Sequence, residues 1–348
     1  MNFASDNTGP VHPKVIEAIS SAAASYDMPY GDDVHMPRVR DLIRETFEAP
    51  EAEVFLVSIG TAANALGLAH LVEPWQAIYC SDVAHIHADE CGAPEFYSGG
   101  AKLVLVPSEH ARITPAALEA AITEGAGRGL HYVQPGAVSL TQVTERGTVY
   151  SLGDLAALAA VAKGHGLPVH LDGARFANAC VALGATPAEM SWKAGVDVVS
   201  FGGTKNGLMS VEAVVFFDPA MAEGFQFRRK RGAQLFSKHR FLSAQMVPYL
   251  DGGLWRELAA TANARAARLA EGLAALPHAT LAHPVEANML FPTLPRAAHR
   301  RAVEAGAEYF MSLDDLAGGA DDDPLPCRLV TNWATTEDDV ERFLTLVA

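Results

Sequence analysis

Three short segments carry side chains able to do chemistry, and each follows a run that reads as a β-strand. Val198-Val199-Ser200-Phe201-Gly202-Gly203-Thr204-Lys205-Asn206-Gly207 sets a single lysine at the end of an apolar run. An ammonium desolvated there gives up its proton more easily, and the free amine can attack a carbonyl. Glycines on both sides make room for a ligand, whereas the plainer alternative is a lysine whose head snorkels to solvent. Val169-His170-Leu171-Asp172-Gly173-Ala174-Arg175 places an acid and a base behind a second strand. Asp172 can hold a protonated ring nitrogen and Arg175 a carboxylate, or the two form a structural ion pair. Ser58-Ile59-Gly60-Thr61-Ala62-Ala63-Asn64 opens a helix behind a third. Gly60 lets the backbone approach an anion and Thr61 adds a hydroxyl, unless Thr61 is simply an N-cap beside a turn glycine.

For these segments to converge, they must lie at the carboxyl ends of strands in an open α/β sheet, where such folds bind ligands. Strands are expected over Val54–Val57, Ile78–Cys80, Leu103–Val106, Ala137–Thr141, Val169–Leu171, Val196–Phe201 and Glu212–Phe217. Helical patterns over Thr61–Val72, Pro115–Ile122 and Leu152–His165 alternate with them, predicting a mostly parallel seven-stranded sheet flanked by helices. Only about ten residues join the last two strands, too few for a crossover helix, so the final one is expected to run antiparallel. Past Phe241–Gly253 the character changes to a long Ala/Arg/Leu helix, Leu254–Leu276, and strand-like pieces around Asn288–Phe291 and Arg328–Thr331. A large domain over 1–250 and a smaller α+β domain over 251–348 follow, with the extreme N-terminus packed on the small domain or on a neighbouring subunit. Leu316–Pro326, rich in Gly, Asp and Pro, reads as a surface loop.

A net charge of −15 repels phosphate backbones and anionic lipid, which sets nucleic acid and membrane partners aside. Cys80, Cys91, Cys180 and Cys327 are scattered, with no CxxC pair, as in a protein of a reducing compartment. No leader-like start or long apolar run is seen, so the cytoplasm is expected. No GxGxxG follows the first strand, which argues against a nucleotide-dependent oxidoreductase.

An amine for an aldehyde, an acid for a pyridine nitrogen and a cradle for a phosphate are what pyridoxal phosphate asks of a protein. The sequence also resembles the threonine aldolase family, in the β-eliminating lyase branch of fold-type-I pyridoxal phosphate enzymes. The likeness rests on Ser5-Asp6-Asn7-Thr8-Gly9-Pro10, Tyr30-Gly31-Asp32-Asp33, Gly60-Thr61-Ala62-Ala63-Asn64, and Ala84-His85 leading to Glu90-Cys91-Gly92-Ala93. It continues through His131, Asp172-Gly173-Ala174-Arg175, Lys205 and Arg328-Leu329-Val330-Thr331. The resemblance implies that Lys205 bonds the cofactor aldehyde, Asp172 faces the pyridine nitrogen and His85 stacks on the ring. His85 or His131 would take the substrate hydroxyl's proton, with His131 favoured for positioning. Gly60, Thr61 and, from an adjoining subunit, Arg240 would hold the phosphate, and Arg175 and Thr204 would also touch the cofactor. Ser5, Arg175 and Arg328 would bind the amino acid carboxylate, His131 and Tyr30 would contact substrate, and Asn7, Tyr30, His35 and Asn206 would shape the β-side pocket. His87 makes an HxH pair with His85 but has no evident third partner, so no metal is expected.

The implied reaction is retro-aldol cleavage of L-threonine, L-allo-threonine and phenylserine-like substrates to glycine and an aldehyde, by a homodimer or homotetramer with shared sites. A β-eliminating lyase, a racemase or a class V aminotransferase on the same fold is the competing reading. Two departures bear on substrate preference: Gly-Gly-Thr-Lys-Asn-Gly where Ser-Lys-Gly is common in the family, and Ser-Asp-Asn where Ser-Asp-Thr is common.

Overall fold

The computed structural model describes residues 1–348. Its central sheet comprises β1 (Glu53–Val57), β2 (Gln76–Ser81), β3 (Lys102–Val106), β4 (Gln134–Thr141), β5 (Val169–Gly173), β6 (Val198–Gly202) and β7 (Glu212–Phe216). They lie in the order β1-β7-β6-β5-β4-β2-β3. Every pairing is parallel except those of β7, which runs antiparallel to both β6 and β1. The segment before β7 holds only a single 3-10 turn, Thr204–Asn206, so the chain reverses instead of crossing over. Strands β5, β6 and β7 are buried along their whole length, as near-continuous apolar runs covered on both faces must be.

Strand β4 starts three residues before the expected Ala137. Pro135 and Gly136 read as a break, but the pairing of β4 with β2 shifts register beside Ala77 and Ile78. An irregularity of that kind accommodates a proline that cannot donate to the ladder. The same blind spot recurs near the C-terminus, where Pro324–Pro326, expected within a loop, is the edge strand of a small sheet with Pro292–Pro295 and Thr280–Leu281. Pro324 and Pro326 face outward and Leu325 inward, so the two prolines conceal an ordinary alternation.

Of four hydrophobic cores, one helix links the two largest. Helix Leu254–Ala274 serves both: Trp255 and Ala259 pack in the large core beneath the sheet, while Ala266, Leu269 and Leu273 pack in the smaller one. The extreme N-terminus joins the small core through Phe3, whose N–H donates to Glu308 O at 2.7 Å and whose carbonyl accepts from Val330 N at 2.8 Å. That return brings Asp6–Thr8 against the Lys205 turn. No helix is long and apolar enough to cross a membrane.

Candidate active site

The carboxyl ends of β4, β5 and β6 and the start of helix Gly60–Leu71 enclose a cavity of about 240 Å³. Gly60, Thr61, His85, Asp172, Arg175, Thr204 and Lys205 all line it. Helix Gly60–Leu71 has Ile59 at its N-cap and no side-chain hydrogen bond there, so its first-turn N–H groups lack that protein partner. Thr61 therefore sits inside the helix and is not its cap. A side chain built on Gly60 would meet nothing within 4 Å, which leaves open room over those amides. Gly202 and Gly203 behave differently. Expected to clear space for a ligand, they instead admit the Ala174 backbone and the Leu208 side chain.

Lys205 lies in the 3-10 turn Thr204–Asn206, which ends at Gly207 with φ of 93°. Its amine makes no hydrogen bond or ion pair, and burial followed by the Arg175 charge lowers its pKa against the opposing pull of Asp6, Asp172 and Glu212. Asp172 accepts from Ala174 N at 2.9 Å through Oδ1 and from Asn64 Nδ2 at 2.8 Å through Oδ2. Arg175 is not its partner. The guanidinium clamps Asp6 instead, Nε to Oδ2 at 2.6 Å and Nη2 to Oδ1 at 2.9 Å. Burial drives the Asp6 carboxyl upward, yet Arg175, Lys205 and the Asn288 amide together hold it below its usual range.

Around His85 gather three carboxylates, those of Glu90, Glu145 and Asp172. Its Nδ1 lies 2.8 Å from Glu90 Oε1, and its backbone N–H donates to Glu145 Oε1 at 2.8 Å. The hydrogen bond to Glu90 raises the imidazole's pKa over the opposing effect of burial. Burial also raises Glu90 and Glu145, and it pushes Glu212 up to about 7 although Glu212 accepts from Gly203 N at 2.7 Å. With Glu90 ionised, Nδ1 carries the proton, and Nε2 is left as the acceptor.

Several expected residues do not join the cavity. His131 is exposed in the turn Gly129–His131 ahead of β4, so the eight-residue strand separates it by about 26 Å from the end that carries Thr141. Its expected role as base or substrate contact is thus corrected for the chain's own cavity: the histidine precedes its strand, and the ligand end follows it. Tyr30 is 45% exposed with Lys230 Nζ 4.6 Å above its ring, and Arg240 donates from Nε to Ala22 O at 3.0 Å. Both lie on one surface away from the cavity, joined by Tyr30 N donating to Ser237 O at 3.2 Å. Asn206 turns into the core, donating to Tyr249 Oη at 2.9 Å and Trp255 O at 2.8 Å, and so cannot shape a substrate pocket. His35 stands at the start of helix Met36–Thr46 outside the lining, and His87 is exposed. Ser5 borders the cavity through Asn7, whose N–H it accepts at 3.2 Å. Arg328 donates from Nη2 to Ala4 O at 3.1 Å and keeps a buried Nε without a partner.

Glu145 and Glu212 were given no role on sequence grounds, and Asn64, Asp6 and Glu90 figured only as parts of motifs. One of them had a usable signal: Asn64 follows Gly60 by one helical turn and so shares its face. Glu145 follows Thr141 in a loop, and Glu212 starts a strand that is otherwise apolar; neither spacing announces a partner.

The model of the family described as "Beta-eliminating lyase" matches residues 2–294. The chain belongs to this family. It is 43% identical over 340 residues to the low specificity L-threonine aldolase of Pseudomonas aeruginosa, covering 98% of this chain and 94% of that protein. Against the low specificity L-threonine aldolase of a Pseudomonas species the identity is 42% over 342 residues, 98% of this chain and 95% of the relative. The solved threonine aldolase of Leishmania major superposes with a TM-score of 0.91 at 30% identity, covering 99% of this chain and 98% of that one. The architecture is therefore the fold-type-I arrangement that the resemblance implied.

Proposed function

We propose that this chain is a pyridoxal-phosphate-dependent aldolase that cleaves L-threonine, L-allo-threonine and related L-β-hydroxy-α-amino acids into glycine and an aldehyde. The observation that carries the reading is the meeting of an unpaired lysine, a buried carboxylate and an open helix N-terminus in one cavity, in a chain so similar to low specificity L-threonine aldolases. The cavity's donors suit the cofactor. Lys205 offers the amine for its aldehyde, Asp172 the charge for its pyridine nitrogen, and Gly60, Thr61 and Thr204 the donors for its phosphate. When bound, the cofactor supplies a sink for the electron pair released as the Cα–Cβ bond breaks.

Arg175 and Arg328 receive the substrate carboxylate. Burial and then the Arg175 charge depress the Arg328 guanidinium, so two cations stand close together and an anion between them relieves both. Arg175 keeps Nη1 unengaged, and Ser5 adds a hydroxyl at the same edge. His85 takes the β-hydroxyl proton on Nε2, since Glu90 fixes the other ring nitrogen as the donor. The released aldehyde leaves by the open side of the cavity, and His85 gives the proton to Cα, which departs as glycine.

Arg240 and Tyr30, which share a surface with Lys230, complete the site of a neighbouring copy in a homodimer or homotetramer. Four free cysteines suit the cytoplasm. The test is a visible spectrum of the purified protein with and without added glycine, together with aldehyde release from L-threonine and L-allo-threonine. A cofactor band that changes with glycine and aldehyde from both substrates is expected; a colourless protein that releases none overturns the reading. Sedimentation, expected to give two or four copies, tests the assembly separately.

A further inference from the structure

We infer that Asn64 is a positioning residue that joins the His85–Glu90 pair to Asp172, so that the proton affinity of the base and the charge of the ring-facing acid are set together. The inference rests on the aldolase reading only for what the coupling does in catalysis; the coupling itself is a property of the chain. Asn64 is 2% exposed, and its one amide nitrogen donates twice, to Glu90 Oε1 at 2.9 Å and to Asp172 Oδ2 at 2.8 Å. Glu90 Oε1 is the same atom that meets His85 Nδ1 at 2.8 Å. A continuous path therefore runs from imidazole to carboxylate to amide to carboxylate.

The orientation of the amide follows from its partners. Both are carboxylates, which accept when ionised, so the nitrogen must face them and the oxygen must face away. Asn64 Oδ1 indeed lies buried without a donor, a cost that the side chain bears to place both hydrogens on acids. No other residue type of that size offers two hydrogens from one atom. Leucine would leave two like charges facing each other across a dry gap, and aspartate would add a third. Repulsion between Asp172 and Glu90 is already felt, since Asp172 is among the causes that raise Glu90.

The consequence has a definite sign. Without the shared donor, the cluster relieves its repulsion by taking a proton, and Glu90, which burial already raises, is the acid that meets both His85 and Asn64. A protonated Glu90 no longer attracts charge onto His85. The imidazole, raised in the intact chain by that bond, then titrates at lower pH.

Asn64→Leu preserves shape and deletes both hydrogens; Asn64→Ser is shorter, remains polar and cannot span both acids. The His85 titration would be followed by NMR on full-length, histidine-labelled protein, with His85→Asn assigning the resonance. Both variants are expected to lower the His85 pKa, Asn64→Leu by about one unit, a tenfold change in proton affinity. Asn64→Ser covers the case in which the leucine variant fails to fold. In the cofactor-loaded enzyme the acidic limb of kcat/KM should move down with it. A His85 titration unchanged in a folded variant would overturn the coupling, even if activity or stability fell. A shifted titration in a protein without aldolase activity would instead overturn the proposed function and leave the coupling standing.

Discussion

The two ends of the central sheet carry similar side chains put to different uses. At the carboxyl ends, Thr141, Asp172 and Lys205 close on one cavity with His85 and Arg175, and every charge there is buried, paired or shifted. At the amino ends, His131, Arg128 and Lys102 surround Tyr132 in the open, with Arg128 and Lys102 at 4.9 and 5.1 Å from its ring centre. The difference lies in what the strand does next. A parallel strand's carboxyl end feeds a loop and a helix N-terminus, so donors and dipoles converge there, whereas its amino end receives a chain arriving from a helix C-terminus. A histidine therefore gains a function from which side of a strand it occupies.

Substitutions can break this contrast, beginning with the largest effect. Lys205→Ala is expected to lower kcat by about 10⁴-fold or more and to abolish the cofactor's visible band, as loss of a covalent catalytic group does. Near-normal colour and turnover would mean that the amine is elsewhere. Asp172→Asn, which keeps shape and removes charge, should cost about 10²- to 10³-fold in kcat, measured with L-threonine at saturation.

Glu90→Gln probes the base. Glu90 raises the His85 pKa, and His85 accepts a proton only when neutral, so activity rises with pH through that pKa. Removing the carboxylate lowers the pKa, and the acidic limb of kcat/KM should shift to lower pH with about a tenfold loss in kcat.

The sheet end also carries a stability cost that can be read as a function of pH. Burial raises Glu212 from 4.5 to about 7 in the folded chain, so between those values the folded state binds more protons than the unfolded one and stability falls as pH rises. Glu212→Gln removes that slope. At pH 8 it should be more stable than the parent by up to about 3 kcal/mol, from 1.36 kcal/mol per unit, with little difference at pH 4, in urea denaturation at both values. Smallest of all, His131→Asn at the opposite end should change kcat/KM by less than about twofold. A loss comparable to that of His85→Asn would mean that His131 reaches a site after all.

Much of this contrast was legible in the residues. Lys205, Asp172 and Gly60 could be placed behind strands because apolar runs and the helix opening announce those boundaries, and the short link before β7 announced its reversal. Local pattern does not encode which acid meets which base. Arg175 follows Asp172 by three residues yet pairs with Asp6, 169 positions away, because the N-terminus returns to the small core through Phe3. Glu145 and Glu212 escaped notice because both are held by backbone amides that no spacing announces: His85 N, 60 positions away at the start of a helix, and Gly203 N, nine positions back across the chain reversal. Prolines hid strand beginnings at Pro135 and Pro324, where irregular or edge pairing tolerates a missing N–H.

The most direct test is the product balance from L-threonine with the purified, cofactor-loaded protein. Glycine and acetaldehyde in equal amounts, with no ammonia and with both lost in Lys205→Ala, is the predicted result. Ammonia with a 2-oxo acid and no glycine would contradict the account, for the same lysine and acid would then be serving elimination and not carbon–carbon cleavage.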